Sequence, residues 1–167
     1  MLRPVVATLF SAIEHYEGQL SALGDALGTD CVVVRITDAD GRTWARSYTN
    51  DGARNEDWYG WLQPVLAPVD GVVVKIRSND VVNEPGKMGQ GNASYIVLRT
   101  DEGVHVLLAH VQSVRVKEGD RVRGGDEIAK VGNNGQSRHP HVHVGAWRER
   151  RPLQIRWDQH VMKSLQR

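Results

Sequence analysis

The sequence predicts a mainly β protein, an antiparallel sandwich or barrel, preceded by one helix and one hairpin. Three observations carry that expectation. Between residues 5 and 27 the apolar residues Val6, Phe10, Ile13, Leu20, Leu23 and Leu27 recur at three- and four-residue steps, and Gly28 is a natural stop. From Cys31 to Tyr48 the period changes to two, in two runs joined by Asp38-Ala39-Asp40-Gly41, the pattern of a hairpin around a turn. Beyond residue 63 short apolar runs alternate with glycine- and aspartate-bearing turns roughly every eight to twelve residues, as in antiparallel all-β domains.

The chain has 167 residues, 40% hydrophobic and 25% charged, with a net charge of +1, the composition of an ordinary globular protein. Residues 1–48, helix plus hairpin, are too few to build a strong core alone and are expected to dock as an appendage on a domain spanning 49–167. No apolar run reaches the ~18 residues of a membrane span. Pro4 to Phe10 is interrupted by Ser11, Glu14 and Glu17 before a secretory core forms, so a cytoplasmic chain is expected, or an envelope one whose leader is gone. The arginines Arg148, Arg150, Arg151 and Arg156 lack interleaved aromatic residues, which argues for a solvated end and against a nucleic-acid partner. With Cys31 the only cysteine, neither an internal disulfide nor a multi-cysteine zinc site is possible. Metal chemistry would fall to His, Asp and Glu.

Within the β region, Pro64–Pro68 and Val72–Ile76 flank the turn Asp70-Gly71. The polar stretch 78–93, with Gly86, Gly89 and Gly91, is long enough to line a cleft. Ser94–Arg99 and Val104–His110 form a strand pair around Asp101-Glu102-Gly103, and Glu127–Val131 is a further strand. The glycines of 119–135 lack the Gly-Lys-Ser/Thr of a phosphate loop and sit between strands. Ile155–Leu165 reads as a short closing segment.

The chemistry concentrates in Ser137-Arg-His-Pro-His-Val-His-Val-Gly145, with three of the seven histidines. On a strand, residues two apart share a face, so His141 and His143 present two imidazoles side by side while Val142 and Val144 point into the core. His110 ends its strand beside a loop, a common position for a reactive group, whereas His105 in mid-strand reads as packing or surface. His15 and His160 lie in the terminal segments, outside this set. Upstream, the loop 49–62 gathers Asn50, Asp51, Asn55, Glu56 and Asp57 ahead of Trp58, Tyr59 and Trp61, acidic groups meeting apolar walls.

In order, Ala67-Pro-Val-Asp-Gly-Val-Val, a strand ending Leu-Ala-His110-Val, Val116-Lys-Glu-Gly-Asp-Arg-Val-Arg-Gly-Gly-Asp, Val131-Gly-Asn-Asn-Gly and His139-Pro-His-Val-His143 resemble the lysostaphin-like (LytM-type) zinc endopeptidases over roughly residues 50–147. The resemblance implies the family's β domain and a Zn2+ cofactor. By match to the closing His-x-His, it assigns metal binding to His143 and catalysis to His141. His110 matches the family's second catalytic histidine. The family's other two zinc ligands form a His-x-x-x-Asp ahead of the Ala-Pro-x-Asp-Gly strand. The acid matches Asp57, or Glu56 in another alignment, but the histidine position falls on Ala53.

Between His15 and His105 there is no histidine, leaving Asn50 or His139 as substitutes for the third ligand. Since a catalytic zinc normally keeps three protein ligands and an open position, the departure leaves two readings. One is a zinc endopeptidase cleaving peptidoglycan cross-bridges or stem peptides in a groove lined by 78–93, Trp58, Tyr59 and Trp61. The other is an impaired module that binds a peptide or partner protein in that groove. The glycine-aspartate hairpin also looks like lipoyl carriers and phosphotransfer domains, but Lys87-Met88 sits in a long loop where a carrier lysine needs a tight hairpin.

Overall fold

The computed structural model describes residues 1–165, and its regular secondary structure is almost wholly antiparallel strand. The chain opens with β1 (Phe10–Glu14), paired along its whole length with β2 (Thr29–Val33). The helix expected over 5–27 is therefore not formed. Its three-four spacing was a coincidence of composition, since Ile13 and Leu20 are exposed while Val5, Val6 and Phe10 are buried. Backbone geometry also forbids it: Gly18 has φ 86 and Leu27 φ 56, both in the left-handed region. Neither residue can continue a right-handed helix. β2 is moreover an inner strand that pairs β12 (Val142–Arg148) on its far side, so residues 10–14 and 29–33 are structural members of the main sheet.

The expected hairpin does form, as β3 (Arg35–Ala39) and β4 (Arg42–Arg46). Its two-residue turn holds Asp40 at φ 53 and Gly41 at φ 71, the double left-handed geometry that suits an Asp-Gly pair to the twist of the flanking strands. Cys31 to Val33, assigned to this hairpin by their alternation, lie instead in β2.

After the 3-10 turn Asn55–Asp57 come β5 (Pro64–Leu66), β6 (Gly71–Arg77), β7 (Tyr95–Arg99) and β8 (His105–Ala109). Next are β9 (Val111–Gln112), β10 (Arg121–Val122), β11 (Glu127–Val131), β12 (Val142–Arg148) and β13 (Arg151–Pro152). The main sheet runs β1-β2-β12-β8-β7-β6-β10, with β13 on β12, and a smaller sheet runs β5-β11-β9. Among the described residues there is one short α-helix, α1 (Gln159–Met162), capped by the Asp158 side chain, which accepts from the backbone N–H groups of His160 and Val161.

The core lies between the two sheets. Ile96, Leu98, Val106, Leu108, Val142 and Val144 come from the large sheet, and Val65, Ile128, Ala129 and Val131 from the small one. Leu108 is fully buried on a central strand. Leu108→Ala is expected to cost about 2–5 kcal/mol through lost burial and a residual cavity, read as a lower chemical-denaturation midpoint.

Candidate functional site

The site is assembled on three neighbouring strands of the main sheet. In β12, Val142 and Val144 are buried in the core as alternation requires, and His141 and His143 share the opposite face. That face is itself covered, so both histidines are buried. β2 pairs with β12 so that Asp30 stands opposite His143, and Ala109 of β8 flanks His143 on the other side. His110 follows at φ 60, a sparsely populated conformation for a non-glycine residue, and its ring centroid lies 4.5 Å from that of His141. From the end of β1, His15 stacks on His143 with ring centroids 5.2 Å apart.

His15, Asp30 and His143 thus form one cluster, with one ligand atom from each lying within 4.8 Å of the others. His15 Nε2 is 3.4 Å from Asp30 Oδ2, and His143 Nδ1 is 2.8 Å from Asp30 Oδ1. Ligands of a tetrahedral zinc bonded at about 2.0–2.1 Å stand roughly 3.3 Å apart, so two imidazole nitrogens and one carboxylate at these separations fit zinc and leave a fourth position open. The remaining nitrogens of the histidines are also engaged. His143 Nε2 faces the Gly24 carbonyl at 3.1 Å, His141 Nδ1 the His139 carbonyl at 2.8 Å and His110 Nδ1 the Asn134 carbonyl at 2.7 Å. His141 and His110 are each thereby held in the tautomer whose Nε2 is free for chemistry, while His143 turns Nδ1 to Asp30.

The electrostatics follow from burial and from Asp30. Burial alone would raise the Asp30 carboxyl, but the hydrogen bond from His143 and the charges of His141, His143 and His15 outweigh it and hold the group well below the usual carboxylate range. Burial lowers His141 to about 4 and, with the neighbouring His141 charge, His110 to about 3, so both rings are neutral at pH 7. Burial also acts against a charged His143, but the Asp30 hydrogen bond and charge prevail and raise it.

Several residues singled out in the sequence lie elsewhere. Asp57 accepts from Asn50 Nδ2 at 2.7 Å and from the Arg54 backbone N–H at 3.1 Å, closing the 3-10 turn. The Asn50 bond first, then the Arg54 bond, lowers its carboxyl below the ordinary value. Asp57 and Asn50 stand outside the histidine cluster, so the metal role assigned to them is corrected: they hold a turn together. His139 stacks on Trp58 at 4.5 Å and is likewise no member of the donor set.

A cleft of about 700 Å³ opens over the cluster, bordered by His110, His139, His141 and His143. Met88, Gly91, Asn92 and Ala93 line it, as expected of the 78–93 loop, together with Lys75 and Arg138. Trp58, Tyr59 and Trp61 do not, which corrects their assignment to the groove. Trp58 backs His139, and Tyr59 lies beneath the Arg35 guanidinium at 4.4 Å.

The residues missed by spacing are His15 and Asp30, separated by 15 positions. The His-x-x-x-Asp of the LytM-type pattern would put them four apart. Here residues 16–27 are inserted as a loop between the two strands of the β1–β2 hairpin, which still pairs Glu14 with Thr29. The available signal was Asp30 at the head of the run Cys31-Val-Val-Val, preceded by Gly28.

Residues 60–155, more than half of the chain, match the model of peptidase family M23. The chain belongs to that metallopeptidase family, and the lysostaphin-like resemblance is borne out. His15 and Asp30 precede the matched segment. The chain is similar to the DD-carboxypeptidase/endopeptidase Mpg of Neisseria meningitidis serogroup B, 38% identical over 48% of this chain and 18% of that one. It is also similar to an uncharacterized metalloprotease of Haemophilus influenzae, 36% identical over 48% of this chain and 15% of that one. The chain thus spans less than a fifth of the length of these relatives. In fold it resembles the catalytic domain (A109H mutant) of the prophage-encoded M23 protein EnpA from Enterococcus faecalis. That match has a TM-score of 0.56 at 18% identity, covering 88% of this chain and 87% of that one. A putative M23 peptidase from Pseudomonas aeruginosa gives 0.55 at 18% identity over 92% and 47% of the two chains.

Proposed function

We propose that this protein is a zinc-dependent metallopeptidase that hydrolyses peptide bonds in the cross-bridges or stem peptides of peptidoglycan. The observation that carries the reading is the convergence of His15, Asp30 and His143 beside two further buried histidines. The impaired-module alternative rested on a missing third ligand, and the position of His15 beside Asp30 and His143 supports the enzyme reading over it. A zinc ion held by these three residues would polarise the scissile carbonyl and bring the pKa of a bound water towards about 7.

The chain's own groups then divide the work. Asp30 contributes the negative charge of the donor set, kept ionised by its imidazole neighbours. His141, with Nδ1–H given to the His139 carbonyl, directs its Nε2 lone pair to the space beside Asp30, 3.6 Å from Oδ1, where it takes the proton of the attacking water. His110, tied through Nδ1 to Asn134, presents Nε2 to the same cleft, and either ring once protonated donates to the leaving amine. The burial that keeps both rings neutral preserves their acceptor nitrogens at pH 7. Lys75 and Arg138 in the cleft wall suit a peptide carrying free carboxylates, in keeping with the DD-carboxypeptidase/endopeptidase named above.

Metal content and hydrolysis test the reading together. Protein purified without added metal is expected to carry one zinc per chain and to cleave purified peptidoglycan peptides. Chelation is expected to abolish cleavage, and stoichiometric zinc to restore it. Failure to bind zinc at micromolar concentration, or cleavage indifferent to chelation, would defeat it.

A further inference from the structure

The inserted loop 16–27 does more than separate His15 from Asp30: it returns over the face of β12 and meets both cluster histidines from behind. The Gly24 carbonyl faces His143 Nε2 at 3.1 Å, and Asp25 Oδ1 lies 3.4 Å from the same nitrogen. The Asp25 carbonyl faces His15 Nδ1 at 3.4 Å. These are the two ring nitrogens turned away from Asp30, since His15 meets Asp30 through Nε2 and His143 through Nδ1. A single dipeptide therefore faces the outward nitrogen of each histidine.

Two glycines show how closely the loop is seated. A Cβ on Gly145, two residues along β12 from His143, would lie 1.6 Å from the Gly24 carbonyl oxygen, which no side chain can tolerate. A Cβ on Gly28, where the loop rejoins β2, would lie 2.8 Å from His143 Cε1. The absence of side chains at both positions lets the loop backbone reach the ring.

Resting on the zinc reading above, we propose that loop 16–27 is the outer shell of the metal centre, with Gly24 and Asp25 as positioning residues. Their oxygens accept the outward N–H groups of His143 and His15. That selects the tautomer whose lone pairs, Nδ1 on His143 and Nε2 on His15, point at the metal with Asp30. An acceptor behind a ligating imidazole also raises its donor strength, and loss of such a partner typically weakens metal affinity by about 10–100-fold. The insertion that stretches the ligand spacing thus brings the ligands' supports with it.

The test is zinc affinity of the full chain, measured by competition with a chromophoric chelator, for wild type, Asp25→Ala, Asp25→Asn and Gly145→Ala. Asp25→Ala is expected to weaken zinc by about tenfold or more, and Asp25→Asn, which keeps an oxygen acceptor, to recover most of that loss. Gly145→Ala, which touches no ligand but displaces the Gly24 carbonyl, is expected to weaken zinc by about 10–100-fold. The visible spectrum of the cobalt-substituted protein should change in the same two weakened variants, while the metal-free unfolding midpoint of Asp25→Ala stays at the wild-type value. Wild-type affinity within about twofold in both Asp25→Ala and Gly145→Ala would overturn the outer-shell role and leave the zinc reading intact. A wild-type chain that binds no zinc would overturn both.

Discussion

His143→Ala is expected to abolish both tight zinc binding and peptide hydrolysis, with kcat/KM falling by about 10³-fold or more, equivalent to about 4 kcal/mol of transition-state stabilisation. The size follows from the number of contacts this one ring makes. It offers Nδ1 to the site shared with Asp30, stacks on His15 and receives the Gly24 carbonyl on Nε2. Alanine removes a ligand and frees the neighbouring ring and the loop at once. His141→Ala makes the informative contrast: it removes a proton acceptor but no ligand, so zinc should remain at one per chain while turnover collapses. The pair is checked by metal analysis and steady-state hydrolysis of one purified peptide substrate. Zinc retained in His143→Ala, or lost in His141→Ala to the same degree, would mean that the two histidines do not divide metal binding from proton transfer.

The site was legible where its chemistry is local in sequence. His141 and His143 share a face because a strand has period two, and their core-facing partners Val142 and Val144 are plain in the same five residues. His110 could be placed at a strand end, although its left-handed backbone could not be read from residue type. The Asp40-Gly41 turn was equally readable, because only its φ values fit a two-residue hairpin. What failed was everything that depends on long-range pairing. The period of residues 5–27 imitates a helix, yet β2 offered Phe10–Glu14 a strand partner, and Gly18 and Leu27, both at positive φ, turn the chain as a right-handed helix cannot. Propensity is a weak prior when a sheet edge is available. His15 and Asp30 were hidden in the sequence for the same reason. Counting backwards from the Ala-Pro-Val-Asp-Gly strand assumes a fixed spacing, whereas the β3–β4 hairpin and the 49–62 loop follow Asp30, and loop 16–27 sets His15 further upstream still. Asp57 was attractive because it lies at the expected distance among acidic neighbours, but Asn50 and the Arg54 amide already occupy its oxygens.

That correction yields the sharpest discriminating experiment. His15→Ala is expected to weaken zinc by at least about 100-fold, about 2.7 kcal/mol, and to reduce hydrolysis in parallel, since only Asp30 and His143 would remain as donors. Asp57→Asn is expected to leave zinc stoichiometry and affinity unchanged. Its effect should appear as a lower unfolding midpoint, because Asp57 accepts from Asn50 on Oδ1 and from the Arg54 N–H on Oδ2, and an amide keeps only one acceptor oxygen. The physical distinction is one of partners. The Asp30 carboxylate is met by the imidazole nitrogens of His15 and His143, which can share a metal with it, whereas the Asp57 carboxylate is met by an amide and a backbone N–H, neither of which can. Isothermal zinc titration of the two variants decides between them. Loss of zinc in Asp57→Asn with retention in His15→Ala would return the metal to the 49–62 loop and reverse the assignment of the N-terminal hairpin.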